Sequence, residues 1–264
     1  NYDGDYGVLQ RRVKNDEELE HLRAVQKITE ATMEMACSLI GRSPADAEGV
    51  LQHEGAALTS ERVRQLISRF VLDHDCTTLH DSIVVTVPHV ADCHHFGTGP
   101  LRKNLPVIVD IFPTHNHTHY CGDCTRTVVN GDVSDIVRDM HACVVRANAA
   151  GCAALQPGTT GQAVHEAVAA VIREGGYSMG APTSEKDEEW VGMRHGTGHG
   201  IGLDVHEPIL LATGGGEILE REVFTVEPGL YSAIHGGVRV EDMVAVTATG
   251  HENFNQLHSE LDWR

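Results

Sequence analysis

The sequence predicts an α+β domain built from two similar α/β halves that face one another. Two observations carry this. Helix-like and then strand-like patterning follows twice in the same order, and acidic residues interrupt four of the otherwise apolar, strand-like segments. The 264 residues can bury a substantial core and no low-complexity linker divides them. Residues 15–264 therefore read as one unit, and residues 1–14 as an amino-terminal tail or linker remnant. The chain begins at Asn1 rather than Met, as expected of a processed or trimmed form.

Asn15 followed by Glu18 forms a capping-box pattern, after which Leu19, Leu22, Val25, Ile28, Thr32, Met35 and Leu39 recur at helical spacing until Gly41. A second helix starts near Thr59 and buries Val63, Leu66, Ile67, Phe70 and Val71. Residues 82–87 and 106–112 then read as strands. The order repeats: helical spacing at Ile136, Val137, Met140, Val144 and Val145 is followed by a helix through Val164, Val168, Val171 and Ile172 that stops at Gly175 and Gly176. Strand-like runs at 223–227 and 237–246 close the second half.

Twenty Lys and Arg against 38 Asp and Glu give a formal net charge of −18, which repels phosphate backbones and anionic lipid. Nucleic acid and membrane are therefore not expected partners. The first thirty residues mix charges with apolar positions, unlike a signal peptide, and no run of eighteen apolar residues exists. The seven cysteines are odd in number and two lie in helical patterns, which argues against a disulfide framework and for a reducing, cytoplasmic setting.

Several motifs imitate catalytic signatures. Gly176-Tyr-Ser-Met-Gly180 matches G-x-S-x-G, but a helix precedes it and Pro182 follows, whereas a nucleophile elbow needs a strand before and a helix after. Gly196-Thr-Gly-His-Gly-Ile-Gly202 lacks the spacing of a nucleotide loop. His206-Glu207 and His165-Glu166 each open an H-E-x-x-H pattern that Leu210 and Ala169 leave incomplete. Cys121 and Cys124 form a C-x-x-C, yet if 122–129 is a strand their side chains point to opposite faces. His115, His117 and His119 sit in a turn marked by Pro113 and Asn116, where histidines are usually solvated.

Asp110 interrupts the apolar run Val107-Ile-Val-Asp-Ile-Phe112, where an ionised carboxylate needs a compensating charge. Asp123 precedes Thr-Arg-Thr-Val-Val129, Glu227 ends Phe224-Thr-Val226, and Glu241 sits among valines. A shared cation explains all four interruptions together.

These stretches resemble those of the "pita-bread" metallopeptidases (M24), the family of methionine aminopeptidase, Xaa-Pro aminopeptidase and prolidase. The matching segments are Asp110-Ile-Phe-Pro113, Gly122-Asp-Cys-Thr-Arg-Thr127, Gly196-Thr-Gly-His-Gly-Ile-Gly202, Asp204-Val-His-Glu-Pro208, Phe224-Thr-Val-Glu-Pro-Gly229 and Val238-Arg-Val-Glu-Asp242, in family order. The resemblance implies two halves around a curved antiparallel sheet. It places metal ligands at Asp110, Asp123, His199, Glu227 and Glu241. Four carboxylates would be neutralised by two divalent ions, and an oxygen-rich set with one imidazole suits Mn, Co, Zn or Fe. Two ions about 3.5 Å apart can bridge a water, acidify it and polarise a scissile carbonyl. Glu227 is implied as the proton acceptor, His206 as a donor to the oxyanion, and His94, next to His95, as a second substrate-facing histidine. Arg239, two residues before Glu241 and expected on the same strand face, is implied to support the carboxylates.

Fourteen residues separate Glu227 from Glu241, with Glu-Pro-Gly after the first, which resembles the Xaa-Pro branch. The expected activity is removal of the first residue from short peptides with proline second. Methionine aminopeptidase is the alternative enzyme, and a non-catalytic binding module the alternative class. Cys93 stands where many relatives have proline and His119 where glycine is common, which leaves pocket shape open. Xaa-Pro enzymes usually carry a further domain ahead of this one, often involved in dimer contacts, so a homodimer belongs to the expectation.

Overall fold

The computed structural model describes residues 7–182 and 189–264. Helix α1 (Asp16–Arg42) begins with the expected capping box: Glu18 N–H donates to Asn15 Oδ1 at 2.9 Å and Asn15 N–H to Glu18 Oε2 at 2.6 Å. It runs one residue past Gly41, which lies against Trp263 where a Cβ would approach the indole-bearing side chain to 3.2 Å. Helix α2 (Ser60–Leu72) starts at Thr59, whose hydroxyl accepts from Arg62 N–H. Strands β1 (Ile83–Val85), β2 (Pro106–Ile111) and β3 (Cys124–Val129) form an antiparallel sheet with β2 in the middle.

Every β2 residue is buried, so the strand shows no polar alternation, but its two faces have different neighbours. Val107, Val109 and Ile111 join the cluster with Met33, Ala36 and Ile40 of α1, whereas Ile108 packs on the opposite side with Val90 and Tyr231. Asp110 shares the Ile108 face. The acidic interruption thus points away from the helices.

The second half repeats the plan with α3 (Asp135–Ala154) and α4 (Gly161–Glu174). It continues through β4 (Gly198–Gly200), β5 (Glu207–Leu211), β6 (Val223–Val226), β7 (Gly229–Ser232), β8 (Gly236–Arg239), β9 (Asp242–Thr247) and β10 (Gly250–Asn253). A five-stranded antiparallel sheet has the order β5-β4-β6-β9-β10. A second sheet joins β8 and β7 to Gly192–Met193 and Ser178–Met179, the last two pairing in parallel.

Three of the sequence expectations need correction. The run at 237–246 is two strands in two sheets rather than one, because the chain changes sheets at Val240–Glu241 and Glu241 bridges to Thr125 of β3 instead, its N–H donating to Thr125 O at 3.1 Å. Arg239 ends β8 and Glu241 lies beyond it, yet both side chains meet Thr125 Oγ1 and line one cavity, as expected of residues two apart on one face. Asp123 precedes β3, which starts at Cys124. Residues 7–14, read as tail, pack on the domain: Leu9–Arg11 form a 3-10 turn and Lys14 N–H donates to Arg221 O at 3.0 Å. Residues 1–6 of that segment lie outside the described residues.

Candidate metal centre

The bridge between Thr125 and Glu241 stitches the two halves together and brings the acidic interruptions to one cavity of about 650 Å³. Asp110 comes from the middle sheet strand of the first half and Asp123 from the segment before β3. His199 comes from β4, Glu227 from the residue after β6, and Glu241 from the sheet change. All five line the cavity together with Arg239, His206 and His94.

The local sequence explains each placement. Glycines on either side of His199 let β4 nest between its neighbours: a Cβ at Gly198 would sit 1.9 Å from Thr225 O, and one at Gly200 2.4 Å from Pro208 O. His199 N–H donates to Thr225 Oγ1 at 3.1 Å, and its Nδ1 faces Gly200 O at 3.0 Å. With Nδ1 protonated for that contact, Nε2 carries the lone pair. It lies 3.8 Å from both Asp123 Oδ2 and Glu227 Oε1.

Asp123 is clamped from α1, where Gln26 donates to its carbonyl at 2.6 Å and accepts from its N–H at 3.0 Å. Glu241 Oε2 accepts from Thr125 Oγ1 at 2.6 Å. Donor atoms of Asp123, His199 and Glu241 lie within 4.8 Å of one another, and all three residues are buried. Arg239 donates through Nη2 to Asp110 Oδ2 at 2.6 Å and through Nη1 to the Tyr231 hydroxyl at 2.9 Å. Asp110 Oδ1 is buried without any hydrogen-bond partner.

The electrostatics follow from crowding acids with little compensation. Burial first, and then the neighbouring carboxylates, push Asp123 and Glu241 well above their usual range. Burial raises Asp110 against the opposing pull of Arg239, and raises Glu227 to about 7. Burial also drives His199 down to about 4, keeping its imidazole neutral. Four carboxylates facing one guanidinium, an unsatisfied buried oxygen and a neutral imidazole aimed at the acids are what a divalent cation would complete. The residues present fit such a group.

The remaining candidates separate cleanly. His206 stands edge-on to His199 with ring centroids 4.3 Å apart. His94 lines the cavity, while His95 turns away to accept from Gly97 N–H and stacks on His89 at 4.4 Å. Among the described residues only two groups of three potential ligands converge, Asp123–His199–Glu241 and Asp92–Cys93–His94. The His115–His119 turn contributes to neither. The thiols diverge, Cys121 meeting Thr114 Oγ1 and Cys124 the carbonyl of Glu241, so no C-x-x-C site forms. Ser178 lies in a two-residue strand after α4, without an elbow.

Gln26, Thr125, Tyr231 and His195 were not legible as site residues. Gln26 follows the apolar stripe of α1 and resembles its edge, and Thr125 looks like an ordinary strand threonine. His195, whose Nε2 lies 2.7 Å from the Tyr231 hydroxyl, offered one signal in standing directly before the glycine run that holds His199.

The chain belongs to metallopeptidase family M24, whose sequence model matches residues 20–248. It is 36% identical over 181 residues to a probable dipeptidase PepE of Mycobacterium tuberculosis, covering 68% of this chain and 45% of that protein. An uncharacterized peptidase of Staphylococcus aureus is 27% identical over 92% of this chain and 62% of its own length. Among solved structures, an X-Pro aminopeptidase from Thermotoga maritima superposes with a TM-score of 0.81 at 26% identity, covering 98% of this chain and 66% of that one. An Xaa-Pro dipeptidase from Bacillus anthracis gives 0.81 at 28% identity with the same coverage. The fold is the pita-bread fold of these proteins. The chain spans about half to two thirds of the length of the relatives it matches.

Proposed function

We propose that this chain is the catalytic part of a metallo-exopeptidase that removes the first residue from short peptides with proline second, using two divalent ions held by Asp110, Asp123, His199, Glu227 and Glu241. The observation that carries the reading is the unsatisfied Asp110 Oδ1 in a ring of four carboxylates, those of Asp110, Asp123 and Glu241 buried and that of Glu227 half-buried, with Arg239 as the guanidinium lining the same cavity. The four carboxylates match the charge of two divalent ions, and a single ion would leave the ring net negative even with Arg239 counted. The similarity to an X-Pro aminopeptidase and an Xaa-Pro dipeptidase supports the proline preference.

When bound, the ions supply Lewis acidity that polarises the scissile carbonyl and acidifies the attacking water. Glu227 is suited to take the water's proton and return it to the leaving nitrogen, because its carboxylate lines the cavity with one oxygen 3.8 Å from His199 Nε2. His206, beside His199 at the cavity wall, donates to the oxygen that becomes negative. His94 faces the peptide from the opposite half. Arg239 fixes Asp110 while leaving its second oxygen free for an ion. No helix among the described residues is long and apolar enough to cross a membrane. A cytoplasmic setting and a homodimer complete the reading, the latter testable by light scattering.

The deciding experiment is hydrolysis of paired peptides, one with proline second and one Met-Ala, by metal-stripped protein restored with Mn²⁺, Co²⁺ or Zn²⁺, with Asp110→Ala as control. Metal-dependent release from the proline peptide alone supports the proposal. Preference for Met-Ala moves the chain to the methionine branch, and silence on both with metal bound favours a binding module.

A further inference from the structure

His206 has a proposed task, but among the described residues its side chain makes no hydrogen bond that would fix it. Its orientation must come from the turn that carries it. That turn, residues 202–206, is organised by the next residue, Glu207, whose side chain is fully buried. Glu207 Oε1 accepts from Leu203 N–H at 3.1 Å and from Asp204 N–H at 3.4 Å, gathering the turn around one carboxylate. Gly202 leaves the space for it, since a Cβ there would lie 2.6 Å from Glu207 Oε2. From the other side, Cys121 N–H donates to Gly202 O at 2.8 Å.

A buried carboxylate needs a cation, and here the cation comes from far away in sequence. Lys14 Nζ lies 3.1 Å from Glu207 Oε2, with the lysine side chain 3% exposed. Arg11 completes the cluster, its Nη2 2.6 Å from Asp204 Oδ2 and its Nε 3.6 Å from Glu207 Oε1. We propose that Glu207 is a positioning residue for His206 and that the Arg11–Lys14 segment locks it in place, making the chain ahead of the first helix a working part of the catalytic centre. Without the lysine, the buried charge of Glu207 is uncompensated, so the carboxylate must protonate or leave, and the N–H groups of Leu203 and Asp204 lose their acceptor. The proposal rests on the peptidase reading for what His206 does, but not for where it is held.

The test uses Lys14→Met, Glu207→Gln and the double variant in the full chain. It follows kcat and KM on a Xaa-Pro dipeptide, bound metal, and the ¹⁵N-labelled histidine ring signals, with His206 assigned by His206→Asn. Lys14→Met is expected to lower kcat about 10- to 100-fold with KM little changed and metal content intact, as misplacing one group does. The double variant should be no worse than either single one, because both break the same lock. The His206 ring signal should shift or broaden while that of His195 stays. Lys14→Arg, which keeps the cation, should retain most of kcat. Should Lys14→Met fail to fold, Arg11→Gln is expected to give a smaller effect in the same direction. An unchanged kcat, or metal lost in step with activity, would overturn the proposal. If the parent protein hydrolyses no peptide, the ring spectrum decides alone: a His206 signal unmoved in Lys14→Met sinks the lock, and a moved one upholds it while the peptidase reading falls.

Discussion

Arg239 holds one oxygen of Asp110 at 2.6 Å while the other oxygen of the same carboxylate is buried and bonded to nothing. A guanidinium that merely neutralised a stray buried acid would engage both oxygens through its fork. Here the fork is shared with Tyr231, Thr125 and the Cys93 carbonyl, and Asp110 keeps an open lone pair towards the cavity. Asp110→Ala is accordingly expected to weaken metal binding by more than the roughly 10- to 100-fold seen when an outer partner is removed. Calorimetric titration of the metal-stripped variant measures this, and binding equal to that of the parent would remove Asp110 from the ligand set.

Thr125 gives a subtler case. Its hydroxyl donates to Glu241 Oε2 at 2.6 Å and receives Arg239 Nε at 3.2 Å, so it orients a ligand without being one. Thr125→Val keeps the shape. Metal affinity is expected to fall about 10- to 100-fold. The change also takes a buried partner from Glu241 Oε2 and Arg239 Nε, so the thermal midpoint of the metal-free chain should fall as well, and an affinity unchanged by the substitution would contradict the role.

Metal affinity should rise with pH through about 7. In the metal-free chain Glu227 is raised from 4.5 to about 7, so at pH 6 it is mostly protonated and an ion must displace that proton. The same raised carboxyl contributes stability to the metal-free fold that is full below pH 4.5 and is lost as pH rises through 7. His199 works in the opposite sense, its contribution being lost as pH falls from 6.5 through about 4. Titrations at pH 6 in buffers of different ionisation enthalpy should show proton release that shrinks by pH 8. Equal affinity and no proton release across that range would count against the acid cluster as the binding site.

Gln26 ties α1 to Asp123 through both backbone groups. Gln26→Leu strands a buried N–H and C=O, and the expected cost is about 1–3 kcal/mol for each group left without a partner. Denaturant unfolding of the metal-free protein reads this directly, and a loss below about 0.5 kcal/mol, within the range of ordinary surface substitutions, would show that the clamp is not needed.

The helices and the four acidic interruptions were legible because their signals are local, whereas His199 was reached through the family resemblance. The capping box at Asn15, the Thr59 cap and the apolar periodicity of α1 to α4 each depend on neighbours within a few residues. An acid in an apolar strand is visible without knowing what lies opposite. The break at Val240–Glu241 was hidden because β8 and all of β9 but Thr247 are buried, so the run of valines looks continuous across a change of sheet. Gln26, Thr125 and Tyr231 were hidden for a different reason: each matters through a partner about a hundred residues away or on another strand. Lys14 and Glu207 are the extreme case, 193 residues apart and joined only by the fold.

The most direct test of the account is to titrate metal-stripped protein with Mn²⁺ while following release of the first residue from a Xaa-Pro dipeptide. Activity that rises with bound metal and levels off at two ions per chain is the predicted result. Activity that saturates at one ion, or that persists without metal, would contradict the central claim.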